Sequence, residues 1–200
     1  MRSYHSLFFK TVLETLFNHI NNISPLSEEA QHALSADFRK VEKQKGEFLL
    51  KEGSICKNLY FLERGCLRGF YLLEEKEITH WFAFENDFVT SFHSFITRKA
   101  SLENIQLLEG SVLWSISHDA LYALYDRFPE IERLGRISCE KYYIRLEERY
   151  VNSQFKTAGE RYLDLINSNP LMLQRVSLGY VASFLAISQE TLSRIRSKKP

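Results

Sequence analysis

Cysteine is scarce in this 200-residue chain, and its three copies, Cys56, Cys66 and Cys139, stand far apart. None forms a C-x-x-C pair, so a zinc ribbon or an iron–sulfur centre has no ligand set, and an odd number of thiols suits a reducing compartment. We read all three as structural. Long apolar runs are missing too. Leu7, Phe8 and Phe9 are followed by Lys10 and Glu14 before any membrane-spanning length accumulates, which argues against a signal peptide or a membrane span and for a cytoplasmic protein. Histidines occur without a His-x-His pair. His80, His93 and His118 therefore lack the spacing of a metal site on a β-barrel, and no metal, cofactor or catalytic residue is expected. Internal repeats and low-complexity tracts are also absent.

What is present is ordinary globular composition, 44% hydrophobic and 26% charged, enough to build a core. The formal net charge is only +1, but its distribution is uneven. From Gln154 onward seven bases face three acids, while nineteen bases face twenty-two acids before it. A weakly acidic body with a basic end favours a polyanionic partner at that end.

The first residues repeat apolar side chains at helical spacing, Leu7, Phe8, Val12, Leu16, Phe17 and Ile20, closed by Asn21 and Asn22. Ser27 caps a second helix, with Glu28 and Glu29 in its positively polarised first turn. From about Val41 the texture changes to short apolar runs between glycines and charged turns: GEFLLKEG, NLYFLERG, CLRGFYLLEEKE, ITHWFAFEND, FVTSF and ENIQLLEGSVLWSIS. Such runs read as strands of a jelly-roll barrel.

Ser117 opens a helix that Phe128-Pro129 ends, and Pro129 starts a long one. Two apolar stripes run along it. One holds Ile131, Gly135, Ser138/Cys139, Tyr142, Leu146 and Tyr150; the other holds Leu134, Ile137, Ile144 and Val151. One face can lie on the barrel. The other, where small Gly135 and Ser138 allow close approach, would meet a second subunit, so Ile131, Gly135, Ser138 and Tyr142 are the candidate dimer contacts.

Thr157-x-x-Glu160 is a capping box, opening a small basic domain. Within it, SLGYVASFLAISQETLSRIR has the helix-turn-helix pattern. Ser177 caps the first helix and Ala186-Ile187 make the turn, with Ala186 where glycine is usual; Ser188 caps the second helix. Val181, Leu185, Ile187, Leu192 and Ile195 form the apolar seam. With Leu192 and Ile195 inward, Gln189, Glu190, Ser193, Arg194 and Arg196 point outward. Arginine can donate twice to guanine, glutamate can accept from cytosine, and glutamine can pair with adenine. Ser177, Arg175, Lys198 and Lys199 are better placed for phosphates. The bland alternative is a surface ion pair between Glu190 and Arg194 with no role on DNA.

A β-roll, a long helix after Phe128-Pro129-Glu130 and the run Ser-x-Glu-Thr-Leu-Ser-Arg-Ile at Ser188–Ile195 together resemble the CRP/FNR family of bacterial transcription regulators, over essentially the whole chain. The resemblance implies an α+β fold: a jelly-roll sensor domain with flanking helices over 1–128, a dimerisation helix over 129–153, and a helix-turn-helix, winged-helix-like domain over 154–200. It also implies a homodimer on a near-palindromic double-stranded operator, with RNA polymerase a candidate partner. Family members that bind cyclic AMP grip the ribose with a Gly-Glu-Leu run and the phosphate with Arg-Ser or Arg-Ala. Here Thr90 and Ser91 stand at the Gly-Glu positions and Ser101 and Leu102 near the Arg-Ser positions. A phosphodiester would enter an apolar roll unpaired, so cyclic AMP is not the expected effector. Trp81, Phe88, Thr90, Ser91 and Ser101 remain as candidate contacts for an unidentified, apolar or weakly polar effector. The competing functions are a β-roll sensor or interaction module that does not bind DNA, and a cupin-type metalloenzyme.

Overall fold

The computed structural model describes residues 15–197. The expected apolar positions Leu7, Phe8 and Val12, and the bases Lys198 and Lys199, lie outside them. Helix α1 covers residues 15–23 and buries Leu16 and Ile20 completely. Helix α2, Glu28–Asp37, is capped by the Ser27 hydroxyl, which accepts from the Ala30 N–H at 3.2 Å.

Eight strands follow: β1 Arg39–Lys43, β2 Phe48–Leu50, β3 Asn58–Arg64, β4 Leu67–Leu73, β5 Lys76–Ala83, β6 Phe88–Val89, β7 Asn104–Leu107 and β8 Ser111–Ser117. They form two antiparallel sheets, β1-β8-β3-β6 and β2-β7-β4-β5. Alternation sorts the centre of the second sheet. Leu67, Ile105 and Leu107 point into the roll, while Arg68, Phe70 and Phe82 point to its outer face, where the C-terminal helices lie. The run CLRGFYLLEEKE, read as one strand, is a strand and its turn: Glu74 and Glu75 both take positive φ, 47° and 67°, as a two-residue hairpin turn requires. Neither residue is the usual Asn or Gly; the signal in the sequence is the charged run that ends the apolar one.

Helix α3, Phe92–Thr97, sits between β6 and β7. Helix α4, His118–Arg127, has Ser117 as its cap, and α5, Pro129–Phe155, begins on proline as expected. Helices α6 (Ala158–Ser168), α7 (Met172–Arg175), α8 (Leu178–Phe184) and α9 (Gln189–Ser197) complete the chain, with no strand among the described residues after β8. The capping box at Thr157 and Glu160 is formed in both directions.

Two cores result. The larger fills the roll and reaches α1, α2, α4 and the start of α5. The smaller joins Cys66, Leu108, Phe82 and Phe84 of the roll to Tyr162, Met172, Val181 and Leu192 of the C-terminal helices. Cys56 and Cys66 are buried as expected, and burial pushes the Cys66 thiol up to about 12; Cys139 is exposed instead.

Of the four candidate dimer contacts, Ile131 is not a surface residue. Ile131 is 1% exposed inside its own chain, and Gly135 lies under Tyr125 of α4, where an added Cβ would fall 2.5 Å from the phenol oxygen. Tyr142 stacks on Phe92, centroids 4.2 Å apart, and Ser138 faces a cavity beside α4. Gly135 admits this chain's own α4. Exposed apolar side chains on α5 are Tyr143, Ile144, Leu146, Tyr150, Val151 and Phe155.

Candidate nucleic-acid interface and effector region

Helices α8 and α9 are held from beneath. Val181, Ala182, Leu185 and Leu192 are buried together, and the turn closes with the Ile187 N–H on the Ala182 carbonyl at 3.0 Å. Ala186 takes φ +54° there, a left-handed conformation that glycine adopts without strain. The Ser188 hydroxyl accepts from the Thr191 N–H at 3.2 Å, capping α9. Gln189, Glu190, Ser193, Arg194 and Arg196 are all exposed along it. Arg194 donates to the Thr191 hydroxyl at 3.2 Å and, among the described residues, makes no ion pair with Glu190. The Ser188 hydroxyl, with Arg194 contributing least, holds the Glu190 carboxyl below the usual carboxylate range. Gly179 lies against Gln189: a Cβ on it would meet Nε2 at 2.7 Å. Ser177 is exposed and caps α8 through the Tyr180 N–H.

Arg175 is not free for phosphate. Its guanidinium grips both Glu85 oxygens at 2.7 Å, the Gly65 carbonyl at 2.8 Å and the Glu109 carboxylate, all on the roll. Sequence reading missed this because its partners are 66 and 90 residues away. The Ser183 hydroxyl adds a second tie, accepting from the Thr79 N–H and donating to the Glu77 carbonyl, each at 3.0 Å. Arg68, 1% exposed, lies 3.7 Å from the Tyr180 ring centroid and pairs with Glu77 and Gln106.

The candidate effector residues divide into two places. Trp81, Ser91 and Ser101 lie inside the roll. The Ser91 and Ser101 hydroxyls are 3.2 Å apart, and Ser101 donates to the Glu103 carbonyl. The Glu103 carboxylate accepts from the Trp81 indole at 2.9 Å and faces His80 Nε2 at 2.7 Å. A bulge opposite Gly69 lets the consecutive His80 and Trp81 reach one partner, which strict alternation forbids. Trp81 lies so close over Gly69 that a Cβ there would be 2.1 Å from the ring. Glu103, 7% exposed, is the residue sequence reading passed over; its signal was the inward alternation with Ile105 and Leu107. Phe88 and Thr90 are elsewhere. Phe88 packs on Phe61 and His19, and the Thr90 hydroxyl donates to the Asn58 carbonyl at 3.1 Å. Burial pushes the His19 imidazole below its usual range.

Arg98, the nearest arginine in sequence, is turned away. It donates to the Cys56 and Phe95 carbonyls. The three histidines considered for a metal are dispersed, His80 on Glu103 and His118 on Asp119, and no metal-holding group of His, Cys, Asp or Glu occurs among the described residues. No described helix is long and apolar enough to cross a membrane.

Residues 40–128 match the cyclic nucleotide-binding domain family. No curated protein matches the chain in sequence. Solved structures do match. The c-di-GMP-responsive global regulator CLP of Xanthomonas campestris superposes with a TM-score of 0.68 at 15% identity, covering 86% of this chain and 91% of its own. FixK2 of Bradyrhizobium japonicum gives 0.67 at 15% identity, covering 80% and 83%. A CRP/FNR-family regulator of Eubacterium rectale, described as putative, gives 0.67 at 17% identity, covering 85% and 82%. Residues 40–128 are thus similar to a cyclic nucleotide-binding domain, in a chain with the fold seen in CRP/FNR transcription regulators.

Proposed function

We propose that this protein is a dimeric, sequence-specific DNA-binding transcription regulator that does not respond to cyclic AMP. The observation that carries the reading is α9. It is capped by Ser188, pinned by Leu192, and presents Gln189, Glu190, Ser193, Arg194 and Arg196 to solvent at the basic end of the chain. That is the presentation a major-groove helix needs, with a donor fork and an acceptor on one exposed face. The ties through Arg175 and Ser183 fix its orientation on the roll. The exposed stripe Tyr143, Ile144, Leu146, Tyr150 and Val151 on α5 is the surface for a second copy, and a two-fold pair of α9 helices calls for two half-sites.

Insensitivity to cyclic AMP follows from charge. Where the phosphate would sit, the roll offers the Ser91 and Ser101 hydroxyls and the Glu103 carboxylate, and Arg98 is committed to backbone carbonyls. An anion beside a buried carboxylate is repelled and loses its hydration. Selection of bound fragments from random duplex DNA tests the reading. We expect an inverted repeat with half-sites about 10 base pairs apart, centre to centre; recovery of no common sequence would refute it.

A further inference from the structure

Phe88 and Thr90 belong to a second space. Between α3, strands β3 and β8, and helices α4 and α5 lies a cavity of about 320 Å³, separate from the roll interior that holds Trp81 and Glu103. Its depth is aliphatic: Ile20, Leu34, Ile116, Leu121 and Leu134 are all buried. Around them stand the rings of Phe88, Phe92, Phe95, Tyr122 and Tyr125. Charged lining residues are confined to the mouth, where Glu132 and Arg136 are exposed beside Cys139. Thr90 is buried, and its hydroxyl is already spent on the Asn58 carbonyl.

The cavity opens to solvent at its mouth, and its volume is about ten times what a water occupies in the liquid, at roughly 30 Å³ each. Water is a poor filling, because each molecule needs two to four polar partners and the depth of the cavity supplies almost none. An anion is excluded by the lack of a buried cation among the lining residues. A whole helix does not enter, since its diameter alone is about 10 Å. What fits is compact and uncharged. An apolar cavity of about 150 Å³ accommodates one benzene ring, and this one has twice that volume.

We propose that the cavity is the binding site of an uncharged, largely apolar small molecule of about two rings. Its walls belong to α3 and α5 together, so a ligand there bears on α3 and on the helix that leads to α8 and α9. That consequence rests on the proposed DNA-binding function; the site itself does not.

The test uses the full chain without DNA and the neutral fluorophore N-phenyl-1-naphthylamine as probe. We expect saturable binding at one probe per chain, with a blue-shifted emission. Leu59→Phe, which fills the cavity from β3, and Ile96→Glu, at a position 54% exposed at the mouth, should each weaken it at least about tenfold, the worth of two buried methylenes. Ile96→Glu is on the surface, so its fold, checked by circular dichroism, should be intact. Glu103→Gln, inside the roll, should leave binding unchanged. Unsaturable binding, wild-type affinity in both cavity variants, or loss in Glu103→Gln would overturn the proposal. So would binding that disappears as the chain dimerises, which would assign the cavity to a partner's side chains. None of these outcomes depends on whether α9 binds DNA.

Discussion

Replacing Arg175 by methionine removes the charge that ties the C-terminal helices to the roll while keeping an apolar stem over Phe84. The guanidinium is 22% exposed in its side chain, and its carboxylates, Glu85 and Glu109, are 34% and 35% exposed. Fully exposed pairs contribute about 0.2–1 kcal/mol, and breaking a buried pair costs about 3–5 kcal/mol. This network lies between those limits. The variant also leaves two carboxylates near each other with no cation, so we expect a loss of about 2 kcal/mol, discounted for solvent screening. Urea unfolding followed by far-ultraviolet circular dichroism and tryptophan fluorescence measures it. Acid supplies a second reading. Burial alone would raise the Glu85 carboxyl, but its hydrogen bonds to Arg175 and to the Gly65 N–H hold it at about 2, against an ordinary 4.5. A depressed carboxyl stabilises the fold fully above its unfolded value and ceases to do so as pH falls through the folded one. The gap between wild type and Arg175→Met should therefore be full at neutral pH and narrow between about 4.5 and 2. A loss below about 0.5 kcal/mol, the scale of an unremarkable surface change, with no dependence on acid would refute the role given to Arg175.

Two further substitutions probe backbone and packing. Ala186→Gly relieves the left-handed turn between α8 and α9, and after the entropic penalty of glycine it should stabilise the protein by about 0.5–1 kcal/mol in urea unfolding; a destabilised variant would contradict the strain. Gly69→Ala pushes a Cβ into the Trp81 ring, which its bond to Glu103 holds in place, and should cost about 1–3 kcal/mol and perturb tryptophan fluorescence. Wild-type stability would show that the indole does not lie there.

The helical ends were legible because their signals are local. Ser27, Ser117, Thr157 and Ser188 cap in the structure through bonds that span three residues, and Pro129 opens α5. The seam of α8 and α9 was legible for the same reason, since Val181, Leu185 and Leu192 are buried by one short turn. The orientation of α5 was not. Both of its stripes are buried at the start, through Ile131 and Leu134, and exposed towards the end, at Leu146, Tyr150, Ile144 and Val151; its placement is set by Tyr125 over Gly135 and Phe92 on Tyr142, the second a contact across fifty positions. Arg175 looked like a phosphate ligand because charge shows in a sequence and its carboxylate partners do not. Glu103 stands two residues after Ser101, yet only the β5 bulge reveals that two consecutive side chains converge on it.

Whether α9 reads base edges is decided by the affinity of wild type and Arg194→Ala for a selected operator and for random duplex across a series of salt concentrations. The wild type should bind the operator far more tightly than random duplex, affinity should fall steeply with salt through released counterions, and Arg194→Ala should lose about 1–3 kcal/mol on the operator and little on random DNA. Equal affinity of the two proteins for both DNAs, or binding indifferent to salt, would contradict base reading by α9.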